Sequence, residues 1–112
     1  DELWAPSRRV KKGGKHNKIR LTYPNGESVL HTTLDALKNI VLFYGFDEVC
    51  KKRLQTRGEN FLCKYVTIGK EKIYEPIEEG MYINNQGNTT DRLKLARTVN
   101  VMFGSKLNIE LE

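Results

Sequence analysis

Lys18-Ile19-Arg20-Leu21-Thr22-Tyr23-Pro24-Asn25-Gly26-Glu27-Ser28-Val29-Leu30-His31-Thr32 is the stretch whose reading decides the fold. Its first six residues alternate polar and apolar side chains, the period of a strand with one buried face. Pro24-Asn25-Gly26-Glu27 then reads as a tight turn, because Asn-Gly accepts the positive φ that a hairpin reversal needs. Ser28 to Thr32 returns as the second strand. A sheet therefore opens the ordered part of the chain, and later elements must cover one of its faces.

The covering elements are legible from helical spacing. Thr32 or Thr33 caps a helix, with Asp35 near its positive end. Leu34, Leu37, Ile40, Val41 and Tyr44 form its core-facing stripe. Gly45 ends it, since glycine takes the left-handed conformation without a Cβ clash. Phe46 follows, and Asp47 is expected to cap a second, short helix through Val49, Cys50 and Leu54, with Lys51-Lys52-Arg53 facing solvent. Thr56 to Glu59 reads as a loop. Phe61 to Ile68, rich in β-branched and aromatic residues, reads as a strand. Gly69 to Lys72 is a turn. Ile73 to Ile77 is a short extended piece that Pro76 confines to an edge or a loop. Glu78-Glu79-Gly80 turns again, and Met81-Tyr82-Ile83 is a short strand. A last helix begins at Thr90 or Asp91, with Leu93, Ala96, Val99 and Phe103 as its stripe, widened by Leu95 and Met102, and stops at Gly104. Lys106 to Glu110 alternates and should close the sheet. The order is β-β-α-α-β-(β)-β-α-β. The expected fold is α+β: an antiparallel or mixed sheet of four to five strands, two main helices and one short helix.

Outward in the other direction, toward the N-terminus, the charge changes character. Among the first twenty residues Arg8, Arg9, Lys11, Lys12, Lys15, Lys18 and Arg20 stand against only Asp1 and Glu2, which accounts for the whole net charge of +5. The remaining ninety-two residues carry twelve basic and twelve acidic groups. Residues 1–17 therefore read as a flexible basic arm or linker, and 18–112 as a single domain, one core's worth of a 112-residue chain. Trp4, beside Leu3, is the one arm residue expected to dock on the parent domain or a partner. The chain starts at Asp1 without Met, as an excised piece of a longer protein would, and Leu111-Glu112 reads as a vector-derived end.

Composition excludes several classes. With 38% hydrophobic and 29% charged residues the chain is too apolar for full disorder. It has no run near the roughly 18 apolar residues of a membrane helix, and its first residues, with Trp4 and Pro6 followed by charge, lack the apolar stretch of a signal peptide. Cys50 and Cys63 are the two cysteines; without a Cys-x-x-Cys or Cys/His cluster they read as reduced thiols of a cytoplasmic protein. His16 and His31 have no carboxylate or nucleophile beside them in sequence, and the pairs Glu78-Glu79 and Asp47-Glu48 point apart. No catalytic, cofactor or metal site is expected.

Three features remain as binding candidates. Arg8, Arg9, Lys11, Lys12, Lys15, Lys18 and Arg20 would attract phosphates and release their counterions, or serve only as a solvated linker. Asn84, Asn85, Gln86, Asn88, Thr89 and Thr90 lead into a helix start with Arg92 in its first turn, a setting for an anion. The same residues also suit a strand-to-helix turn with a threonine cap. Tyr65 and Tyr82 would stack on unpaired bases if they shared an open sheet face; otherwise they pack the sheet.

The hairpin Ile19-Arg20-Leu21-Thr22-Tyr23-Pro24-Asn25-Gly26 and the later Gly80-Met81-Tyr82-Ile83-Asn84-Asn85-Gln86-Gly87-Asn88-Thr89-Thr90 together resemble a small bacterial module. It is found with restriction–modification, helicase-like and uncharacterised proteins. The module shows Ile-x-Leu/Val-x-Tyr/Phe-Pro-x-Gly and later Gly-x-Tyr-x-Asn-x-x-Ser/Thr-Thr. Gln86-Gly87 departs from its usual side chains. The resemblance covers nearly everything after residue 17 and implies company with DNA-processing enzymes, with no catalytic residues to carry over. The expected function is a non-catalytic accessory domain of a larger DNA-processing protein, monomeric in isolation, touching nucleic-acid backbone through the arm. The alternative is a protein-interaction or scaffold module with the arm as a linker.

Overall fold

In the computed structural model, which describes residues 18–112, the hairpin forms as β1 (Lys18–Thr22) and β2 (Ser28–Thr32). Lys18 pairs with Thr32 and Thr22 with Ser28, antiparallel. The Tyr23 N–H donates to the Glu27 carbonyl at 2.8 Å, and Gly26 turns at φ 91°. Alternation does what its period demands: Ile19 and Leu21 are fully buried, whereas Lys18 is exposed. The readings of residues 1–17 fall outside the described residues.

Thr32 caps α1 (Thr33–Tyr44), its Oγ1 accepting the Asp35 N–H at 3.3 Å. Leu37, Ile40 and Val41 are buried, with Leu34 and Tyr44 at the margin of the core. Gly45, at φ 100°, ends α1 and serves as N-cap of α2 (Phe46–Cys50). Two expectations change here. Asp47 lies inside the first turn of α2, and no side chain caps it. The helix stops at Cys50, because Arg53 takes a left-handed φ of 54° before Leu54 is reached.

The middle of the chain departs furthest from its reading. The expected loop at 56–59 is a tight hairpin, β3 (Gln55–Thr56) and β4 (Glu59–Asn60). Arg57 and Gly58 reverse it, both at positive φ. The strand expected over Phe61–Ile68 shrinks to β5 (Leu62–Cys63). Tyr65 and Ile68 are 79% and 92% exposed in the loop that follows. Then come β6 (Tyr74–Glu78) and β7 (Met81–Asn84). Leu62 pairs with Ile83 on one side of β7 and Glu75 with Ile83 on the other, so the order is β5-β7-β6. Pro76 sits on the edge strand β6, next to a register shift, where its missing N–H costs no ladder bond.

After α3 (Thr89–Met102), β8 (Asn108–Leu111) adds to the free side of β1, two residues later than expected at its start. Leu21 faces Ile109 across that pair. The class is α+β with every described strand pairing antiparallel. The described strands do not form one sheet of four to five. They form two three-stranded sheets and the small β3-β4 hairpin. One apolar cluster joins these layers, with Ile19 and Ile109 from the first sheet, Ile83 from the second, and Leu37 and Val99 from the helices. No helix of the described residues is long and apolar enough to cross a membrane.

Candidate functional site

The polar loop leading into α3 grows out of β7, and each of its amides has a specific partner. Asn84 is buried. Its Oδ1 accepts the Gln86 N–H at 2.8 Å, and its Nδ2 donates to the Asn60 carbonyl and Gln86 Oε1, both at 3.3 Å. Asn85 Nδ2 donates to the Lys72 carbonyl at 3.1 Å and to Glu75 Oε2 at 3.3 Å. Glu75 also meets Lys38 of α1 at 3.3 Å. Gly87 stands at φ 102°, where an added Cβ would lie 3.1 Å from the Asp91 Cβ. Only glycine suits that position.

Asn88, rather than Thr90 or Asp91, begins the helix. Its Oδ1 accepts the Asp91 N–H at 2.9 Å while Asp91 Oδ2 accepts the Asn88 N–H at 3.3 Å, a reciprocal capping box. Arg57, on the β3-β4 turn, donates from Nε and Nη2 to the same Asp91 oxygen at 3.1 and 2.6 Å. The Arg57 guanidinium, helped by the Asn88 N–H, holds the Asp91 carboxyl below the usual carboxylate range. The positive end of α3 thus already faces an anion, supplied by its own first turn. Thr89, half-buried, and Thr90, exposed, are simply the first two helical residues. Arg92 turns inward, donating from Nη1 to Thr33 Oγ1 at 3.0 Å and from Nη2 to the Asn85 carbonyl, while its buried Nε has no partner among the described residues. The structure brings Asn85, Arg92, Thr33, Glu75 and Lys38 into one junction between α1, β6 and α3. Asn84 supports the loop from below, and Asn88 caps the helix above it.

Of the basic candidates, Arg8, Arg9, Lys11, Lys12 and Lys15 fall outside the described residues. Lys18 is exposed at the start of β1, its N–H donating to the Glu112 carbonyl at 2.9 Å. Arg20 is engaged: its Nε lies 2.7 Å from Glu112 Oε2, and Nη1 donates to Ser28 Oγ at 3.2 Å. The stacking surface is not assembled as expected. Tyr65 stands in an exposed loop, whereas Tyr82 is half-buried in β7 opposite Cys63.

Two features escape a reading of the sequence. Cys50 and Cys63 line one cleft of about 660 Å³ between α2 and β5, with Cys50 Sγ 3.9 Å from the Leu62 carbonyl. Burial, then proximity to Cys50, pushes the Cys63 thiol up. No spacing rule signals such a pair. The second is Asn100, buried on the inner face of α3. Its Oδ1 accepts from Tyr44 Oη and from the Leu107 N–H at 3.1 Å, and its Nδ2 donates to the Leu107 carbonyl at 2.8 Å. A polar residue one step beyond Val99 in an otherwise apolar stripe is the available signal. Among the described residues no three His, Cys, Asp or Glu side chains gather closely enough to hold a metal ion. Comparison with known protein families, with curated proteins and with solved structures finds no match for this chain.

Proposed function

We propose that this chain is a non-catalytic accessory domain of a larger DNA-processing protein, and that it contacts nucleic-acid backbone through Arg8, Arg9, Lys11, Lys12, Lys15 and Lys18. The observation that carries the reading is the charge split: seven basic and two acidic residues up to position 20, and a balance of twelve and twelve after it. A cationic stretch ahead of a neutral body lowers its free energy by meeting phosphates and freeing their counterions. Arg20 contributes less than the rest, since Glu112 neutralises it. The segment from Asn84 to Arg92 is left out of the contact set, because its amides and the helix end are matched within the protein. The resemblance to modules that accompany restriction–modification and helicase-like proteins points the same way.

Duplex DNA binding measured against salt tests this directly. With about four to six cations on phosphates, the log–log slope is expected near −4 to −5. Replacing Arg8, Arg9, Lys11, Lys12 and Lys15 together by Gln in the full chain should remove most of that slope. Equal affinity of both proteins at low salt would defeat the reading. The second reading is a protein-interaction module in which the basic stretch only links domains. One specific observation favours it, the apolar outer face of α3.

A further inference from the structure

We infer that the outer face of α3 is a docking groove for an amphipathic helix with acidic flanks, carried by another domain or protein. The inference deepens the protein-interaction reading and does not depend on the nucleic-acid one.

Leu93, Arg97 and Val101 recur at four-residue intervals, and Lys94 and Met102 widen the stripe. Together with two threonines they line a shallow groove of about 530 Å³. Val101 is 69% exposed and Met102 42% exposed. Val101 and Met102 leave neighbouring apolar side chains exposed at the C-terminal end of this face, with half-buried Leu93 two turns earlier and the charged Arg97 between them, a mixed apolar and charged face of the kind on which two helices pair. The charge on the face is of one sign. Lys94 and Arg97 flank the apolar positions, and among the described residues no acidic side chain lines the groove. Asp91, the nearest carboxylate along the helix, turns to Arg57 on the adjoining side. A partner that covers Val101 and satisfies both cations therefore offers leucine-like side chains at helical spacing with Glu or Asp beside them.

The same charges argue against two other occupants. A second copy would set Lys94 and Arg97 against their own equivalents, a like-charge contact. A nucleic-acid backbone would meet the cations but leave Val101 and Met102 uncovered.

The test is a titration of the isotope-labelled full chain, followed by backbone amide signals. The probe is a designed 16-residue helical peptide with Leu at positions i, i+3, i+4 and i+7 and Glu between them. Shifts are expected at Leu93, Lys94, Arg97, Val101 and Met102, with affinity falling as salt rises. Val101→Asp, and separately Lys94→Glu with Arg97→Glu, should each weaken binding by about tenfold or more. Circular dichroism confirms that each variant stays folded. The matching peptide with Lys in place of Glu should bind the charge-reversed double variant and not the original chain. Equal binding of both peptides to the original chain overturns the assignment. So does a dimer in sedimentation that Val101→Asp dissolves, or a shift of these amides on adding duplex DNA. If Trp4→Ala alone moves them, the occupant is this chain's own Asp1-Glu2-Leu3-Trp4, and an outside partner falls. Peptide shifts on a different face would sink the groove but keep the interaction-module reading, whereas no shifts on any face would sink both.

Discussion

Val99 and Val101 stand two residues apart on α3. The first is fully buried, and the second is 69% exposed. At 100° per residue two steps carry a side chain to the opposite face, so the same residue type serves two purposes. On the inner face Ala96 and Val99 complete the core and Asn100 ties the helix to the chain beyond it. On the outer face Val101 and Met102 lie exposed beside Lys94 and Arg97, with Leu93, which also packs against the core, at the margin. The inner face answers to stability, and the outer face is the one proposed to meet a partner. Substitutions on α3 and around it should separate the two.

The largest effects belong to the core that the inner face packs on. Leu37→Ala should lower the unfolding free energy by about 2–5 kcal/mol, and Val99→Ala by somewhat less, as cavity formation adds to lost transfer energy. Urea denaturation reads both. A Val99→Ala protein as stable as the original would mean that the inner face relaxes freely, and the contrast with Val101 would dissolve. Asn100→Ala comes next. It strands the Leu107 N–H and carbonyl in a buried place, an expected loss of about 1–3 kcal/mol. Because Tyr44 and Lys106 meet in the same network, a Tyr44→Phe change combined with it should be less than additive.

How much of this is legible in the sequence depends on whether a segment carries its own period. The β1-β2 hairpin, α1 and α3 each repeat a pattern over several residues, and each is found close to where the pattern places it, except that Met102, expected to widen the core stripe of α3, is 42% exposed on the outer face. The stretch from 55 to 73 has no such repeat. Its strands are two residues long and exist because they pair, Gln55 with Asn60 and Leu62 with Ile83. High β propensity over Phe61–Ile68 does not extend β5. Its partner β7 begins at Met81, one register step beyond the Cys63–Tyr82 pair, so the residues after Lys64 have no strand to pair with, and the chain turns at Gly69, φ 96°. The loop before α3 reads in sequence either as a setting for an anion or as a strand-to-helix turn with a threonine cap. Its amides in fact answer to Asn60, Lys72 and Glu75, and Arg92 to Thr33. Such partners lie on other elements, and local spacing cannot reveal them.

A smaller effect lies at the start of α3, where the two faces have not yet diverged. Asn88→Ala removes the side-chain half of the capping box and should cost about 1 kcal/mol. Its neighbour Asp91 gives the region a pH signature. The folded-state carboxyl titrates below its ordinary range, so the native state prefers it charged. Its contribution is therefore complete above the unfolded-state value and is lost as pH falls through the folded-state one. Stability curves of the original chain and of Asp91→Asn should differ at neutral pH and converge in strong acid. Curves that stay parallel throughout would show that the Arg57–Asp91 contact does not support the cap.

The smallest effect is expected two residues beyond the cap. Thr90 sits where the sequence alone suggests a helix start, but the structure places it inside the first turn, exposed, on the border of the outer groove. Asn88 already accepts the N–H of Asp91, so Thr90→Ala removes no capping bond. It replaces a β-branched residue by the best helix former, a gain of about a few tenths of a kcal/mol at most. Urea denaturation should find Thr90→Ala within about 0.5 kcal/mol of the original chain, while Asn88→Ala falls clearly below it. A loss of about 1 kcal/mol for Thr90→Ala, with none for Asn88→Ala, would move the cap back to Thr90. It would also reopen the helix end as a place where free N–H groups await an anion.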